Sequence, residues 1–173
     1  MEEVEVKILE VDRPKCEKIL LDLGAEKIFE GTIKTVAFDN GNKTLTTDKQ
    51  FIRLRKENEK NVLGFKGRIK NKEAKVMEEI ETEVGDFDKT VQILERVGFT
   101  IWTQNTKDRI SYKLEGVRFD FDKYNEEYSY IPEFLEIEGE NIEVIRKYAK
   151  ILGFEDEELK PWGFGKLNNK YKS

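Results

Sequence analysis

The pattern that most constrains this chain is the alternation of charged and apolar residues along its strands. The chain opens with Glu3-Val4-Glu5-Val6-Lys7-Ile8, and successive side chains of a strand point to opposite faces, so Glu3, Glu5 and Lys7 share one face. The same alternation returns in four later segments: Arg53-Leu54-Arg55, Glu79-Ile80-Glu81-Thr82-Glu83, Asp120-Phe121-Asp122 and Glu136-Ile137-Glu138. The sequence therefore predicts a sheet with one apolar face and one charged face.

Chain length and net charge limit the number of domains and the kinds of partner that can be expected. The 173 residues predict a single domain over 1–173, because no stretch rich in Pro, Gly or Ser separates two halves. Charged residues make up 39% of the chain, yet the formal net charge is only -5. No overall basic field indicates a nucleic-acid partner, so we expect none, and any site for an anion must be local.

The chain has no histidine, which removes the usual general base and the commonest zinc ligand. Catalysis would therefore depend on carboxylates, lysines, arginines and metal ions. The single Cys16 cannot form an internal disulfide and is expected to be a small buried apolar residue. The acidic start and the lack of a run of 18 apolar residues predict a cytoplasmic protein with no signal peptide and no membrane partner.

Three short amphipathic helices are predicted from their caps. Asp12, Asp86 and Asn141 can each cap a helix at its start, and each helix ends before a glycine, at Gly24, Gly98 and Gly153. Strands are predicted at 28–39, 50–57, 61–70, 74–84, 99–104, 107–115, 117–124 and 133–139, after the first. The insertion at 125–132 is expected to form either a lid over one end of the sheet or a patch at an interface.

The charged face allows two architectures. In an open sheet it would meet water, as in many antiparallel sheets. In a barrel with the helices outside, it would line a shared lumen. Alternation places Lys66 with Arg68 on this face, as it does Lys107 with Arg109, and Arg118 with Asp120 and Asp122. The opposite face carries apolar residues that the helices must cover: Val4, Val6, Leu54, Phe65, Ile80, Ile110, Phe119, Phe121, Leu135 and Ile137.

A charged lumen would be a binding site, because buried charges without partners cost several kcal/mol each. Four or more Arg and Lys side chains suit a ligand with several phosphates. The carboxylates suit hard divalent cations such as Mg²⁺ or Mn²⁺, which bridge phosphate oxygens. This combination predicts a metal-dependent reaction on a di- or triphosphate.

The motifs resemble those of the CYTH superfamily, the triphosphate tunnel metalloenzymes. Its Glu-x-Glu-x-Lys motif appears as Glu3, Glu5 and Lys7, its Leu-Arg-Leu-Arg strand as 52–55, and its Lys-Gly step as Lys66-Gly67. The later motifs follow in order: Glu79-Ile80-Glu81, Lys107-Asp108-Arg109, Phe121-Asp122-Lys123-Tyr124 and Glu136-Ile137-Glu138. Two segments depart from the family pattern, Ala37-Phe38-Asp39 and Gly163-Phe164-Gly165-Lys166-Leu167, so no role is carried over to Lys166.

The resemblance implies an α+β fold, an eight-stranded antiparallel closed β-barrel with helices packed outside. It implies metal ligands at Glu3, Glu5, Asp122, Glu136 and Glu138, with Asp120 able to share or replace the role of Asp122. The residues expected to bind substrate are Lys7, Arg53, Arg55, Lys66, Arg68, Lys107, Arg109, Arg118, Glu79 and Glu81. The residues expected to act in catalysis are Glu5, Lys7, Lys66 and Arg109.

Three functions agree with these residues. The first is a metal-dependent hydrolase of a small triphosphate, namely tripolyphosphate, thiamine triphosphate or a nucleoside triphosphate. The second is a class IV adenylyl cyclase, in which the 3′-hydroxyl of ATP attacks the α-phosphorus. The third is a non-catalytic protein that binds polyphosphate or nucleotides, although binding alone would favour bases over so many carboxylates. Monomer and homodimer both stay open.

Overall fold

The computed structural model describes residues 2–69 and 75–172, with side chains from Val4 to Ile69 and from Val76 to Lys172. Positions 70 and 74, at the edges of two predicted strands, lie outside the described residues. The strands are β1 (Glu2–Leu9), β2 (Glu26–Asn40), β3 (Gln50–Glu57), β4 (Lys60–Ile69), β5 (Lys75–Val84), β6 (Phe99–Leu114), β7 (Val117–Tyr124) and β8 (Phe134–Gly139). The helices are α1 (Arg13–Asp22), α2 (Thr44–Thr47), α3 (Phe87–Arg96), α4 (Ile142–Ile151) and α5 (Phe164–Tyr171).

The eight strands form a closed antiparallel barrel in the order β1-β5-β4-β3-β2-β6-β7-β8. Strands β2 to β5 pair in chain order, as do β6 to β8, and β2 also pairs with β6. Strand β1 joins two distant parts of the chain. It pairs with β5 through residues 2–5 and with β8 through residues 4–9. The predicted α+β fold with a closed eight-stranded barrel is confirmed, and the open sheet is excluded.

One strand differs from its prediction. The segments 99–104 and 107–115 were predicted as separate strands, but they form the single strand β6. The polar residues Gln104, Asn105 and Thr106 indicate a turn by composition. They nevertheless pair with β2, which runs alongside β6 from Glu26 to Asn40. Pairing over this length outweighs the weak strand preference of the three polar residues.

The three predicted helices are present, and their caps explain their bounds. The side chains of Asp12, Asp86 and Asn141 accept hydrogen bonds from backbone N–H groups three residues further on, at 3.2, 2.9 and 2.9 Å. After each helix the chain turns through a glycine with positive φ, 87° at Gly24 and 91° at Gly153. The other two helices, α2 and α5, were not predicted.

Helices cover only part of the outer face. A large apolar cluster joins α1 and α4 to β1, β7 and β8, and a smaller one joins α3 to β2 and β3. The predicted outer residues Val6, Leu54, Phe119, Phe121, Leu135 and Ile137 are buried there. Ile80 on β5 is instead 62% exposed, so the expectation that a helix covers it is wrong. Ile80 belongs to neither of these two apolar clusters as the described residues define them.

The insertion at 125–132 packs against the C-terminal helix α5. Ile131 of the insertion is fully buried in a cluster with Tyr124, Phe134 and Leu167. The backbone of Lys160, in the segment before α5, exchanges two hydrogen bonds of 2.8 Å with the backbone of Lys7. The insertion and the C-terminal segment therefore form one unit against the barrel. The motion of a lid and the interface patch both stay predictions.

None of the helices in the part of the chain that the structure describes is long and apolar enough to cross a membrane.

Candidate active site in the barrel lumen

The barrel encloses a charged cavity of about 320 Å³. Seven cationic side chains line it: Lys7, Arg53, Arg55, Lys66, Lys107, Arg109 and Arg118. Five carboxylates line it as well: Glu5, Glu79, Glu81, Glu136 and Glu138. The seven cations converge on one space, and phosphate oxygens can replace the carboxylates that pair with them, so the cavity can accept an anionic ligand.

Alternation along each strand explains this lining. Arg53 and Arg55 point inward from β3, while Leu54 between them is buried under α3. In the β3–β4 register Arg53 lies opposite Gly64. A Cβ atom at Gly64 would lie only 3.1 Å from Cγ of Glu81. Glycine at this position therefore leaves room for the Glu81 side chain that pairs with Arg53.

Arg109 is the most firmly held cation of the lumen. Its Nε and Nη2 donate to the two oxygens of Asp122, each at 2.6 Å, and its Nη1 lies 2.5 Å from Asp120 Oδ2. Asp120 also accepts from Arg118 Nε at 2.9 Å. Two buried carboxylates thus fix the plane of the Arg109 guanidinium before any ligand binds.

Burial and neighbouring charges shift the pKa values of this group. Burial opposes the charged forms of Arg109 and Asp122, but their mutual attraction outweighs it, so the pKa of Arg109 is raised and that of Asp122 is lowered. Lys107 donates to Asp122 Oδ2 at 2.6 Å. Burial and the adjacent Arg109 nevertheless lower the pKa of Lys107 to about 8. A polyanion in the lumen would offset this concentration of positive charge.

Lys7 differs from Lys107 because its nearest charged neighbours are carboxylates. Its Nζ is 3.2 Å from Glu5 Oε1 and forms a short ion pair with Glu136. Burial disfavours its charged form, but the attraction of Glu136 and then Glu5 outweighs burial and raises the pKa of Lys7. Lys7 therefore stays cationic across the physiological pH range.

A second set of ion pairs lines the wall formed by β3, β4 and β5. Arg53 Nη2 is 2.6 Å from Glu81 Oε1 and 3.4 Å from Glu79 Oε2. Lys66 forms a close ion pair with Glu79. Burial and then the neighbouring Arg53 lower the pKa of Arg55 to about 10. Glu57 also pairs with Arg55, at 2.6 Å, so the three cations of this wall face three carboxylates.

The carboxylates that could hold a divalent cation lie on β1 and β8. Glu5 is opposite Glu138 in the register of these strands, and Glu136 lies two residues away on the same face of β8. In the parts of the chain described here, acidic side chains do not gather in threes at the distances of metal ligands. Magnesium, however, is usually held by one or two carboxylates together with water and substrate phosphates. Glu5 and Glu138 could supply the one or two carboxylates that such a magnesium site needs.

Most predicted site residues share this one cavity. Those that line it are Glu5, Lys7, Arg53, Arg55, Lys66, Glu79, Glu81, Lys107, Arg109, Arg118, Glu136 and Glu138. Asp120 and Asp122 lie behind the lining, buried against Arg109, and Arg68 is outside the lining as described. The side chain of Glu3 lies outside the described residues. The roles of all these residues in binding and catalysis stay predictions.

The sequence analysis missed several uncharged lining residues. They are Thr35, Ala37, Phe51, Trp102, Thr103, Asn105, Tyr124, Gly163, Phe164 and Gly165. Alternation alone could have found Phe51, which is two residues before Arg53 on the same face of β3. No sequence signal indicates the position of Phe164, because the preceding segment places it by pairing with β1.

Comparison with known proteins identifies relatives of the same architecture. The family model for the CYTH domain matches residues 1–164. A Methanocaldococcus jannaschii protein named as a candidate adenylate cyclase is 29% identical over 168 residues, which are 97% of this chain and 93% of that protein.

Solved structures agree with this match. A Pyrococcus horikoshii protein is 25% identical with a TM-score of 0.80, and the match covers 95% of this chain and 98% of that one. A candidate adenylyl cyclase from Hippeastrum, described as having a dominant triphosphatase activity, has a TM-score of 0.67 at 18% identity, with 99% and 97% covered. The family match spans all eight strands of the barrel, and this chain therefore belongs to the CYTH domain family.

Proposed function

We propose that this protein is a metal-dependent triphosphatase that hydrolyses a small triphosphate in the barrel lumen. Membership of the CYTH family supports an enzymatic function on a triphosphate. The Hippeastrum protein, whose likeness extends to the fold alone, is described as having a dominant triphosphatase activity. The choice of a triphosphate for this chain rests on its own lining residues.

The observation that carries the proposal is the convergence of seven cationic side chains on one cavity of about 320 Å³. Arg53, Lys66 and Arg109 project from different strands into one space. Arginine binds two phosphate oxygens at once and lysine adds a point charge, so several phosphates in a row can be gripped from separate walls. Such a grip holds the chain of phosphates in a fixed direction, which favours in-line displacement at its end.

Binding requires an exchange of partners on the wall of β3 to β5. Arg53 and Lys66 pair with Glu81 and Glu79 in the structure. Phosphate oxygens would compete with these glutamates for the same cations. Arg109 needs no such exchange to keep its orientation, because Asp120 and Asp122 hold it from behind. It is therefore suited to stabilise charge that develops on the phosphate oxygens.

Glu5 and Glu138, with Glu136 beside them, would hold Mg²⁺ or Mn²⁺ in this proposal. Such a cation neutralises charge on the phosphate oxygens and lowers the pKa of water. Glu5 has a second task, since it also helps to keep Lys7 cationic. Water is the attacking group: its oxygen bonds to the terminal phosphorus, the bond from that phosphorus to the leaving diphosphate breaks, and the proton that water loses passes to solvent. No covalent nucleophile of the chain is required.

The test is product analysis with tripolyphosphate, thiamine triphosphate and ATP in the presence of Mg²⁺ or Mn²⁺. We expect release of orthophosphate, and we expect Glu5→Gln to lower kcat by about 100-fold or more, the scale on which catalytic electrostatic groups act. Lys18→Ala, at an exposed pair on α1, is the matched control and should keep the wild-type rate. Formation of cyclic AMP and pyrophosphate from ATP would contradict the hydrolase proposal and support an adenylyl cyclase. Tight binding of these triphosphates without formation of any product would contradict both enzymatic functions.

A further inference from the structure

Tyr124 is the last residue of β7, and its side chain points into the lumen. It lies two residues after Asp122 on the inner face of the strand, opposite Lys107 in the β6–β7 register. It lines the cavity, although the residue is only 6% exposed. The chain has six tyrosines, all of them within the described residues, and Tyr124 is the one that lines the cavity. The binding and catalytic roles predicted from charge do not include it.

Packing fixes the ring of Tyr124. The ring stacks on that of Phe134, with centroids 5.9 Å apart and an angle of 30° between the planes, and its centroid lies 5.2 Å from that of Phe164. Ile131 and Leu167 belong to the same buried cluster. The position of the ring therefore does not depend on any hydrogen bond of its hydroxyl.

The hydroxyl of Tyr124 has no hydrogen-bond partner in the part of the chain that the structure describes. Four other tyrosines differ, because their hydroxyls donate to acceptor side chains: Tyr112 to Glu17, Tyr130 to Asn168, Tyr148 to Glu115 and Tyr171 to Glu10. Tyr124 Oη is not among the unpartnered polar atoms that the described residues fully enclose, so it is open to the lumen. Because nearly buried polar groups almost always have a partner, this hydroxyl indicates a ligand.

Two lysines lie at the same end of the lumen as this hydroxyl. Lys107 Nζ is 5.9 Å from the centroid of the Tyr124 ring, and Lys7 Nζ is 5.8 Å from the centroid of Phe134. A tyrosine hydroxyl keeps its proton at neutral pH and can donate it to an acceptor. An acceptor that suits two cations as well is an anionic oxygen, which a phosphate group supplies.

The neighbouring carboxylates are already engaged. Asp122 accepts from Arg109, and Glu136 pairs with Lys7. Neither carboxylate bonds with the Tyr124 hydroxyl among the described contacts. The acceptor for this hydroxyl must therefore come from a molecule that enters the lumen.

We propose that the Tyr124 hydroxyl donates a hydrogen bond to a phosphate oxygen of the bound triphosphate, at the phosphate group that lies beside Lys7 and Lys107. This inference rests on the proposed function of the lumen and adds to it an uncharged binding residue. The donor is held by the packing of its ring, so it needs no reordering when the ligand binds. Tyr124 thus contributes a directed bond and leaves the charge balance of the lumen unchanged.

Calorimetric titration of Tyr124→Phe with tripolyphosphate, thiamine triphosphate and ATP tests this bond, in EDTA and again with Mg²⁺. We expect the substitution to weaken every one of these ligands that binds the wild-type protein by about tenfold, the scale of a hydrogen bond to a charged group. Phenylalanine keeps the ring that packs on Phe134 and Phe164, and the hydroxyl has no partner to lose, so Tm should not fall. A hydroxyl with a purely structural role would give the opposite result, a lower Tm with unchanged affinities.

Tyr148→Phe is the matched control. Tyr148 is 4% exposed, and its hydroxyl donates to Glu115 at 2.7 Å, away from the cavity lining. Removal of this hydroxyl should leave the affinities for all three ligands unchanged.

A second measurement follows the wild-type protein by NMR, with ¹³C at the Cζ atom of tyrosine. The signal that is missing in Tyr124→Phe should shift when a triphosphate binds in EDTA, whereas the signal of Tyr148 should stay in place. Affinities of Tyr124→Phe within about twofold of the wild-type values, or a Tyr124 signal that does not move with ligand bound, overturn the inference while the triphosphatase proposal stands. Failure of all three ligands to bind and to react removes the proposed function, and this inference with it.

Discussion

The substitution Asp122→Asn tests whether buried carboxylates hold the lumen together. Asp122 is 0% exposed and accepts two bonds from Arg109 and one from Lys107, each of 2.6 Å. Asparagine has nearly the same shape, so the change removes the negative charge without creating a cavity. One carbonyl oxygen remains to accept a bond, while the new amide group faces the cations as a donor.

The expected loss of stability is large for a change that preserves volume. Removing one partner of a buried ion pair costs about 3–5 kcal/mol, because the other charge stays buried without compensation. Arg109 keeps Asp120 as a partner, which places the loss near the lower end, at about 3 kcal/mol. For a chain of this length, each 1 kcal/mol corresponds to about 2–4 °C in Tm, so Tm should fall by about 6–12 °C.

The assay measures thermal unfolding and urea unfolding in EDTA, with circular dichroism as the probe. EDTA matters because it separates support of Arg109 from any role of Asp122 as a metal ligand. The control is Lys18→Ala, which removes an exposed pair with Asp22 on α1. Such exposed pairs contribute at most about 0.5 kcal/mol, so the control should change Tm little.

Two results would contradict the reasoning. In the first, Asp122→Asn unfolds within about 1 kcal/mol of the Lys18→Ala control in EDTA. In the second, the substitution has no effect in EDTA and destabilises the protein only when Mg²⁺ is present. The second result would support Asp122 as a metal ligand, as the resemblance implies. The orientation of Arg109 would then depend on Asp120 alone.

Three further predictions follow from the same structure. The pKa of Lys107 is lowered from its ordinary 10.5 to about 8, so the side chain loses its positive charge as pH rises past that value. Tripolyphosphate affinity should therefore fall above about pH 8 in calorimetric titrations. Lys107→Arg should flatten this pH dependence, because arginine stays charged. Glu81→Gln removes a competitor for Arg53 and should tighten tripolyphosphate binding severalfold in EDTA, whereas unchanged affinity would mean that the pair persists with ligand bound. Leu167→Ala, at a fully buried site of α5, should lower the free energy of unfolding by about 2–5 kcal/mol in urea melts, and a loss below about 1 kcal/mol would show that α5 is not part of the core.

The charged lumen was predictable because alternation is a local rule. Once Glu5 and Lys7 are on one face of β1, and Arg53 and Arg55 on one face of β3, closing the sheet brings all four together. Alternation cannot decide whether an inward residue lines the cavity or lies behind another side chain. Asp122 obeys the rule but lies beneath Arg109, because the longer side chain extends over it.

Other features depended on tertiary structure. The sequence 164–171 begins with Phe-Gly and has little intrinsic helix preference, and α5 forms where Leu167 is buried against Ile131 and Phe134. Trp102 lines the lumen beside Thr103 because the pairing of β6 with β2 shifts by one residue between Ala37 and Phe38. Such a β-bulge changes the alternation and leaves no mark in the sequence. Alternation places Ile80 on the apolar face and so predicts a helix over it, but the position is 62% exposed.

The position of β1 between β5 and β8 has a consequence for how the barrel folds. Within the barrel, β1 precedes both of its partners, which the chain reaches only at Lys75 and then at Phe134. Pairing of this kind closes long loops, which lowers folding rates because their entropy must be lost before contacts form. Until β8 has paired with β1 and β7, both edges of the partly formed sheet stay open to other chains. Refolding yield should therefore depend on protein concentration more steeply than in a barrel closed by neighbouring strands.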